Sequence, residues 1–235
     1  MKPIKLYIVC GFLGTGKTRC IRELMKGYEG KVAHISAEKG RTESCADDIL
    51  YIYPHKETTL KGMAYEINAF CERVRPEAVW LEWNGTVPIE RLVRLLQDKR
   101  LKSLFRQECI IFTTTPQSCR YLLTSPETAV YGQLSEAEKV VIYASSTEEY
   151  KEAAAFLKKI HSDSRVYSGD ALNEEATRQH ILKSRVGHGG ILTVAMLVGF
   201  ASIYAYLLLN PDPYYNSARK VLTFWTATLL QALPF

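Results

Sequence analysis

The clearest candidate for a functional site is the run GFLGTGKT at 11–18, near the start of the chain. This run fits the phosphate-binding pattern G-x-x-x-x-G-K-[ST] at every fixed position. Its glycines allow successive main-chain N–H groups to point at phosphate oxygens, at the positive end of the following helix. Lys17 would then contact the β- and γ-phosphates, and Thr18 would place its hydroxyl on Mg²⁺. The residues expected to hold a nucleoside triphosphate are Gly11, Gly14, Thr15, Gly16, Lys17 and Thr18.

A second candidate position is Glu82, which ends the apolar run Ala78–Glu82 (AVWLE). An acid at the carboxyl end of a strand can approach Mg²⁺ or one of its water ligands. The backbone N–H of Gly85, three residues later, could reach the γ-phosphate. We therefore expect Lys17 and Glu82 to carry catalysis and Thr18 and Glu82 to hold Mg²⁺. The alternative is an ordinary strand-to-helix turn with an exposed glutamate.

The polar run Ala37–Thr42 (AEKGRT) follows the second apolar segment. In a P-loop enzyme a switch segment would stand here, and Glu38 or Thr42 could approach Mg²⁺. An ordinary solvated loop explains the same residues equally well.

The elements that must position these residues alternate between apolar β-branched runs and helical periodicity. A strand at 4–10 leads into the glycine loop, and a helix at 17–26 follows it, which is the context the motif requires. Such alternation predicts an α/β P-loop fold with a mostly parallel sheet flanked by helices and the nucleotide at the carboxyl ends of the strands. Further strands are expected at 31–36, 49–53, 78–82, 109–115, 139–144 and 164–167, and helices at 60–74, 89–101 and 150–160.

The carboxyl-terminal part of the chain differs in character. Residues 191–209 (ILTVAMLVGFASIYAYLLL) carry no charge, and as a helix they would span about 28 Å, close to the ~30 Å hydrocarbon core. A transmembrane helix is therefore expected there, with a buried soluble helix as the alternative. A second uncharged run at 221–235 is short for a span and could instead be interfacial. The predicted organisation is a nucleotide-binding domain at 1–175, a linker at 176–190 and this apolar tail.

Charge and cysteine usage exclude other classes of protein. The net charge of +5 is too small to indicate nucleic acid as a partner. The six cysteines form no C-x-x-C pair, which indicates reduced structural thiols in a cytosolic domain. Cys45 with His55 could suggest a metal site, but two ligands are few and a solvated histidine is favoured. Basic residues before the first apolar run favour a cytoplasmic domain anchored to the cell membrane.

The run GFLGTGKT together with Glu82-x-x-Gly85-x-x-Pro88 resembles the CobW-type branch of P-loop GTPases, which stands beside the nickel-enzyme maturation GTPases. In that family the loop usually reads GFLGxGKT, and Ala37–Gly40 is similar to its asparagine-glutamate-x-glycine switch segment. The resemblance covers about residues 4–170. It implies a GTPase acting in metal homeostasis or metal cofactor insertion, with a metalloprotein or membrane protein as partner.

Three positions depart from the family pattern. Asn84 stands where the family usually has serine. The interval between Gly40 and Leu60 contains one cysteine, Cys45, where the family carries a C-x-C-C metal-binding motif. The run Tyr143–Thr147 (YASST) replaces the N-K-x-D signature that reads guanine. The sequence therefore leaves GTP and ATP both open as ligands.

Two functions follow from these observations. The first is a Mg²⁺-dependent nucleoside triphosphatase, for GTP or ATP, whose hydrolysis switches a loop. The second is a membrane-tethered nucleotide sensor that binds without useful turnover. A small-molecule kinase would share the phosphate loop, but no acceptor site is identifiable in the sequence.

Overall fold

The computed structural model describes residues 2–38, 46–54, 59–124 and 129–183 of the 235-residue chain. Within these residues, seven strands form one sheet in the order β3-β2-β4-β1-β5-β6-β7, and all neighbouring strands pair in parallel. The sheet predicted from the alternating pattern is confirmed. The strands are β1 Ile4–Gly11, β2 Val32–Ser36, β3 Ile49–Tyr51, β4 Ala78–Glu82, β5 Phe105–Thr114, β6 Lys139–Ile142 and β7 Arg165–Ser168.

Helices connect the strands and cover both faces of the sheet. Two of them begin at side-chain caps that their sequences supply. The Thr59 hydroxyl accepts from the N–H of Gly62, and the Ser146 hydroxyl accepts from the N–H of Glu149. The helices are α1 Lys17–Met25, α2 Leu60–Val74, α3 Ile89–Leu96, α4 Lys99–Lys102, α5 Pro116–Thr124, α6 Ala129–Ser135, α7 Thr147–Ile160 and α8 Glu175–Leu182.

The core lies in two layers, one on each face of the sheet. In β1, Leu6, Ile8 and Cys10 face one layer, while Tyr7 and Val9 face the other. Because successive residues of a strand point to opposite faces, a strand covered on both sides is apolar throughout. This burial explains why β1 and β4 appear in the sequence as continuous apolar runs.

Several element bounds differ from the sequence prediction. The helix expected at 89–101 is two helices, because the Asp98 carboxylate caps a new helix by accepting from the N–H of Arg100. Helices α5 and α6 fill the interval between β5 and β6, where the sequence analysis predicted no element.

The packed domain continues beyond residue 175, into the range predicted as a linker. In α8, Ile181 and Leu182 are buried against the sheet. Lys139 of β6 is also buried and donates from Nζ to the carbonyls of Ile181 and Lys183. These bonds satisfy carbonyl groups that the end of a helix leaves without partners.

No helix among the described residues is long and apolar enough to cross a bilayer. The span predicted at 191–209 and the apolar run at 221–235 lie outside the described residues, so both stay predictions.

Candidate functional site

The loop between β1 and α1 has the backbone that its glycines permit. The φ angles are +133° at Gly11, +76° at Gly14 and +88° at Gly16, in a region that residues with a Cβ rarely adopt. Space is also limited. A Cβ on Gly11 would lie 2.2 Å from the carbonyl oxygen of Thr113 on the neighbouring strand. The glycine spacing seen in the sequence is thus required both by conformation and by close approach.

Thr15 closes the loop from within. Its side chain is buried, and its hydroxyl donates to the carbonyl of Phe12 at 2.8 Å and lies 3.0 Å from the Thr113 hydroxyl on β5. The side chain of Thr15 therefore fixes the loop, while its main-chain N–H remains the group that could face a phosphate.

Lys17 points back across the loop, with its side chain only 1% exposed. Its Nζ donates to the carbonyls of Gly11 at 3.2 Å and Phe12 at 2.9 Å, and pairs with the Glu38 carboxylate at 2.9 Å. Glu38, which the sequence analysis considered as a residue near Mg²⁺, thus contacts the loop lysine. Thr42, the other candidate in that segment, lies outside the described residues.

Thr18 and Glu82, the two residues expected to hold Mg²⁺, lie side by side, and the Thr18 hydroxyl donates to Glu82 Oε1 at 2.8 Å. Glu82 is buried at the end of β4, and its Oε2 lies 3.3 Å from His34 Nε2. His34 itself is buried on β2 and was missed in the sequence, where it is one residue of an ordinary strand. A hydroxyl beside a carboxylate is the kind of oxygen pair that Mg²⁺ takes from proteins, so these two residues fit the expected cation.

Gly85 lies directly against the phosphate loop. A Cβ at this position would be 2.5 Å from the carbonyl oxygen of Gly11, so only glycine allows the approach. The Asn84 carboxamide stabilises the turn by accepting from the N–H and the hydroxyl of Thr86, both at 2.8 Å. The Trp83 indole donates to the carbonyl of Val87 at 3.0 Å. The segment 84–87 is therefore held in place beside the loop.

Gln133 of α6 ties this segment to the phosphate loop. The side chain is fully buried, and its Oε1 accepts from the N–H of Gly11 at 3.0 Å. Its Nε2 donates to the carbonyls of Asn84 at 3.0 Å and Val87 at 2.9 Å. A buried amide with all these bonds made is a strong positional constraint. The sequence carried no signal for these bonds, because Gln133 lies 122, 49 and 46 positions from Gly11, Asn84 and Val87.

Two segments at the carboxyl ends of β6 and β7 lie on the other side of the phosphate loop. They are residues 143–146 and 168–170, here called the outer loops. The Tyr143 ring lies between Gly16 of the phosphate loop and Gly169 of the second outer loop. A Cβ on Gly16 would be 2.9 Å from a ring carbon, and a Cβ on Gly169 would be 2.2 Å from one. Burial raises the pKa of the Tyr143 hydroxyl far above its usual range. The Arg19 guanidinium lies 4.7 Å from the ring centroid and 3.8 Å from the Asp170 carboxylate.

The outer loops line a pocket of about 310 Å³, with Ser145, Ser146, Ser168 and Asp170 among its walls. The Ser146 hydroxyl is already used as the cap of α7, and Asp170 is largely exposed, with 79% of its side chain accessible. Among the described residues of these loops, Asp170 provides the carboxylate of the pocket.

The described cysteines are free, buried thiols. Burial raises the pKa of Cys10 and of Cys20 to about 12, which keeps both neutral at physiological pH. Within the described ranges, no group of three or more His, Cys, Asp or Glu residues could hold a metal ion. Cys45 and His55, the pair considered for a metal site, lie outside those ranges.

The architecture is similar to that of solved P-loop GTPases. The Zn(II)-bound YjiA GTPase from E. coli matches with a TM-score of 0.53 at 17% identity, over 71% of this chain and 57% of that one. The signal recognition particle receptor FtsY from Elizabethkingia anophelis matches with a TM-score of 0.50 at 12% identity, over 78% of this chain and 63% of that one. No protein-family model matches the chain, and no curated protein matches its sequence.

This chain therefore spans less than two thirds of the length of either of these two GTPases. At such low identity the likeness shows the fold alone. The P-loop NTPase fold expected from the sequence, a mostly parallel sheet flanked by helices, is confirmed for the described residues.

Proposed function

We propose that this chain is a Mg²⁺-dependent P-loop nucleoside triphosphatase, for GTP or ATP, that works as a switch. The observation that carries the proposal is the convergence of Lys17, Thr18 and Glu82 on one glycine loop at the carboxyl end of β1. Charge neutralisation and positioning are what phosphoryl transfer requires from a protein, and these three groups supply both.

Each residue has a distinct role in this proposal. The main-chain N–H groups of the loop bind the phosphates, and the Lys17 ammonium neutralises the β- and γ-oxygens. Thr18 and Glu82 would hold Mg²⁺, which when bound neutralises charge on the phosphates. Gly85 brings its N–H beside the loop, where a γ-phosphate would end. Hydrolysis then joins a water oxygen to the γ-phosphorus and breaks its bond to the bridging oxygen.

The base would lie in the pocket of the outer loops. The run Tyr143–Thr147 has no aspartate to accept the two N–H donors of guanine, and the Ser146 hydroxyl already caps α7. We infer weak discrimination between GTP and ATP, because a site gains its selectivity from polar groups that the wrong base leaves unpaired.

A second function, a nucleotide sensor without useful turnover, is favoured by one observation. Each oxygen of the Glu82 carboxylate has a protein partner, Thr18 or His34, at 2.8 and 3.3 Å. A carboxylate held in this way could bind a cation through the nucleotide without aligning a water.

Single-turnover hydrolysis of GTP and of ATP with Mg²⁺ separates the two functions. Lys17→Ala is expected to weaken binding by about a hundredfold, since a hydrogen bond to a charged group contributes about 1.5–3 kcal/mol. Glu82→Gln is expected to slow hydrolysis at least about tenfold while binding persists. The matched controls are Lys26→Ala and Glu66→Gln, which change exposed side chains.

The outcomes are distinct. Binding with no hydrolysis, unchanged by Glu82→Gln, would support the sensor. Wild-type protein that binds neither nucleotide, or binding that Lys17→Ala leaves unaltered, would remove both functions.

The wider context of the site is also a proposal. The resemblance to CobW-type proteins supports a role in metal homeostasis or cofactor insertion, and the neighbouring YjiA GTPase was solved with Zn(II) bound. The uncharged run at 191–209 supports a cytoplasmic domain tethered to the membrane. Expression of the full chain and of residues 1–185 tests the tether, because a full chain that stays soluble without detergent would refute it.

A further inference from the structure

Lys17, the residue assigned to the phosphates, forms an ion pair with Glu38. Lys17 Nζ is surrounded by three oxygens, one from each of Gly11, Phe12 and Glu38, at 2.9–3.2 Å. Two of these are main-chain carbonyls of the loop itself, and the third is a carboxylate from another element. An ammonium that is buried needs a counter-charge, and Glu38 supplies it.

Among the described residues, the Glu38 carboxylate has a partner at one of its two oxygens. Oε1 pairs with Lys17, whereas Oε2 is buried and has no hydrogen-bond partner among the described residues. The backbone of Glu38 is fixed by Ser36, whose hydroxyl donates to the Glu38 carbonyl at 2.6 Å.

We propose that Glu38 is an internal competitor that a polyphosphate must displace from Lys17. This inference rests on the proposed function, since it assigns Lys17 to the phosphates. A carboxylate and a phosphate cannot share one ammonium in a site of low dielectric, because the two anions repel each other. The apparent association constant for any phosphate ligand is then the intrinsic one multiplied by the fraction of molecules in which Glu38 does not occupy Lys17.

Glu38→Gln tests this with a side chain of the same shape and no charge. We expect non-hydrolysable ATP and GTP analogues with Mg²⁺ to bind about tenfold more tightly to the variant, as they would if about nine molecules in ten had been closed by the contact. We also expect the ligand-free variant to melt at a lower temperature, because Lys17 loses its counter-charge. Damage to the fold would instead lower both melting temperature and affinity.

The titrations use the full chain at constant ionic strength, and Glu66→Gln, which neutralises an exposed glutamate on α2, is the matched control. Tripolyphosphate with Mg²⁺ is a third probe, because it lacks a base and reports on the phosphate position alone. Tighter binding of all three probes to Glu38→Gln, with the control unchanged, supports the inference.

Two results would overturn it. If the wild type binds the analogues and Glu38→Gln binds them no more tightly, the competitor is refuted while the proposed function stands. If neither folded protein binds any probe, both fail.

Discussion

The phosphate loop and the outer loops face the same candidate site, but they are built in different ways. The phosphate loop uses main-chain groups and buried side chains, and only 1% of Lys17 is exposed. The outer loops use exposed side chains, and 79% of Asp170 is accessible. A site made of main chain depends on glycine at fixed spacing, whereas a site made of side chains can change residue by residue. This difference explains why the phosphate loop fits its motif at every position, whereas the run Tyr143–Thr147 carries no N-K-x-D signature.

The largest effect is expected from Gly16→Ala. Both Gly14 and Gly16 have positive φ, and a Cβ there costs about 1–2 kcal/mol in strain. A Cβ on Gly16 would in addition lie 2.9 Å from the Tyr143 ring, whereas one on Gly14 meets nothing within 4 Å. We therefore expect Gly16→Ala to abolish nucleotide binding in calorimetric titration and Gly14→Ala to weaken it. Equal losses of nucleotide affinity in the two variants would show that the contact between Gly16 and the Tyr143 ring does not couple the phosphate loop to the outer loops.

Gln133→Met should have the next largest effect, since methionine keeps the size of the side chain and removes its polar atoms. The N–H of Gly11 and the carbonyl of Asn84 would lose the partners that Gln133 provides. An unsatisfied buried group costs about 1–3 kcal/mol, so the free energy of unfolding should fall by about 2–4 kcal/mol in urea titrations. Gln117→Met, on the exposed face of α5, is the control. If both variants unfold at the same urea concentration, the buried hydrogen bonds of Gln133 do not stabilise the phosphate loop.

Alkaline pH should weaken the fold around the phosphate loop. Burial raises the pKa of Cys10 and Cys20 from 9.0 to about 12. The neutral thiols stabilise the fold fully below pH 9, and this contribution falls as the pH rises from 9 to 12, because the unfolded chain releases its protons first. Each thiol should cost about 1.4 kcal/mol per pH unit in that window. Thermal melts of Cys10→Ala should show a shallower dependence on pH than the wild type. If the melting temperatures of Cys10→Ala and the wild type depend on pH in the same way, the raised pKa of Cys10 is contradicted.

The smallest effect is expected from Asp170→Asn. Because this carboxylate is exposed, its loss should change the affinities for GTP and ATP by less than about threefold, as is usual for exposed charges. Competition titrations of the two nucleotides measure the ratio directly, with Asp163→Asn as a control at a distant exposed position. A strong preference for GTP in the wild type that Asp170→Asn removes would show that the outer loops do read the base.

Much of the fold could be predicted from local patterns in the sequence. The helix at 60–74 and the strand at 78–82 have the predicted bounds, because their apolar periodicity coincides with their burial. Thr18 and Glu82, both expected near Mg²⁺, are brought together because the phosphate-loop helix begins, and the neighbouring parallel strand ends, at the same edge of the sheet.

The missing parts depend on contacts between distant residues. Gln133 and His34 are ordinary residues in their own segments, and their roles arise only when the fold places α6 against β1 and pairs β2 with β4. Asp98 divided a predicted helix because a local cap competed with a continuous apolar pattern. The contact of Glu38 with Lys17 likewise requires the order of the strands, which periodicity does not provide.

The bond from the Trp83 indole to the carbonyl of Val87 gives the protein its own optical reporter. Trp80 and Trp83 are both fully buried, and Trp83 adjoins the turn that carries Gly85. Any movement of that turn when a γ-phosphate arrives would change the polarity around the indole, and with it the wavelength of its emission. Fluorescence of a Trp225→Phe protein would therefore follow nucleotide loading in real time, without a dye or a label.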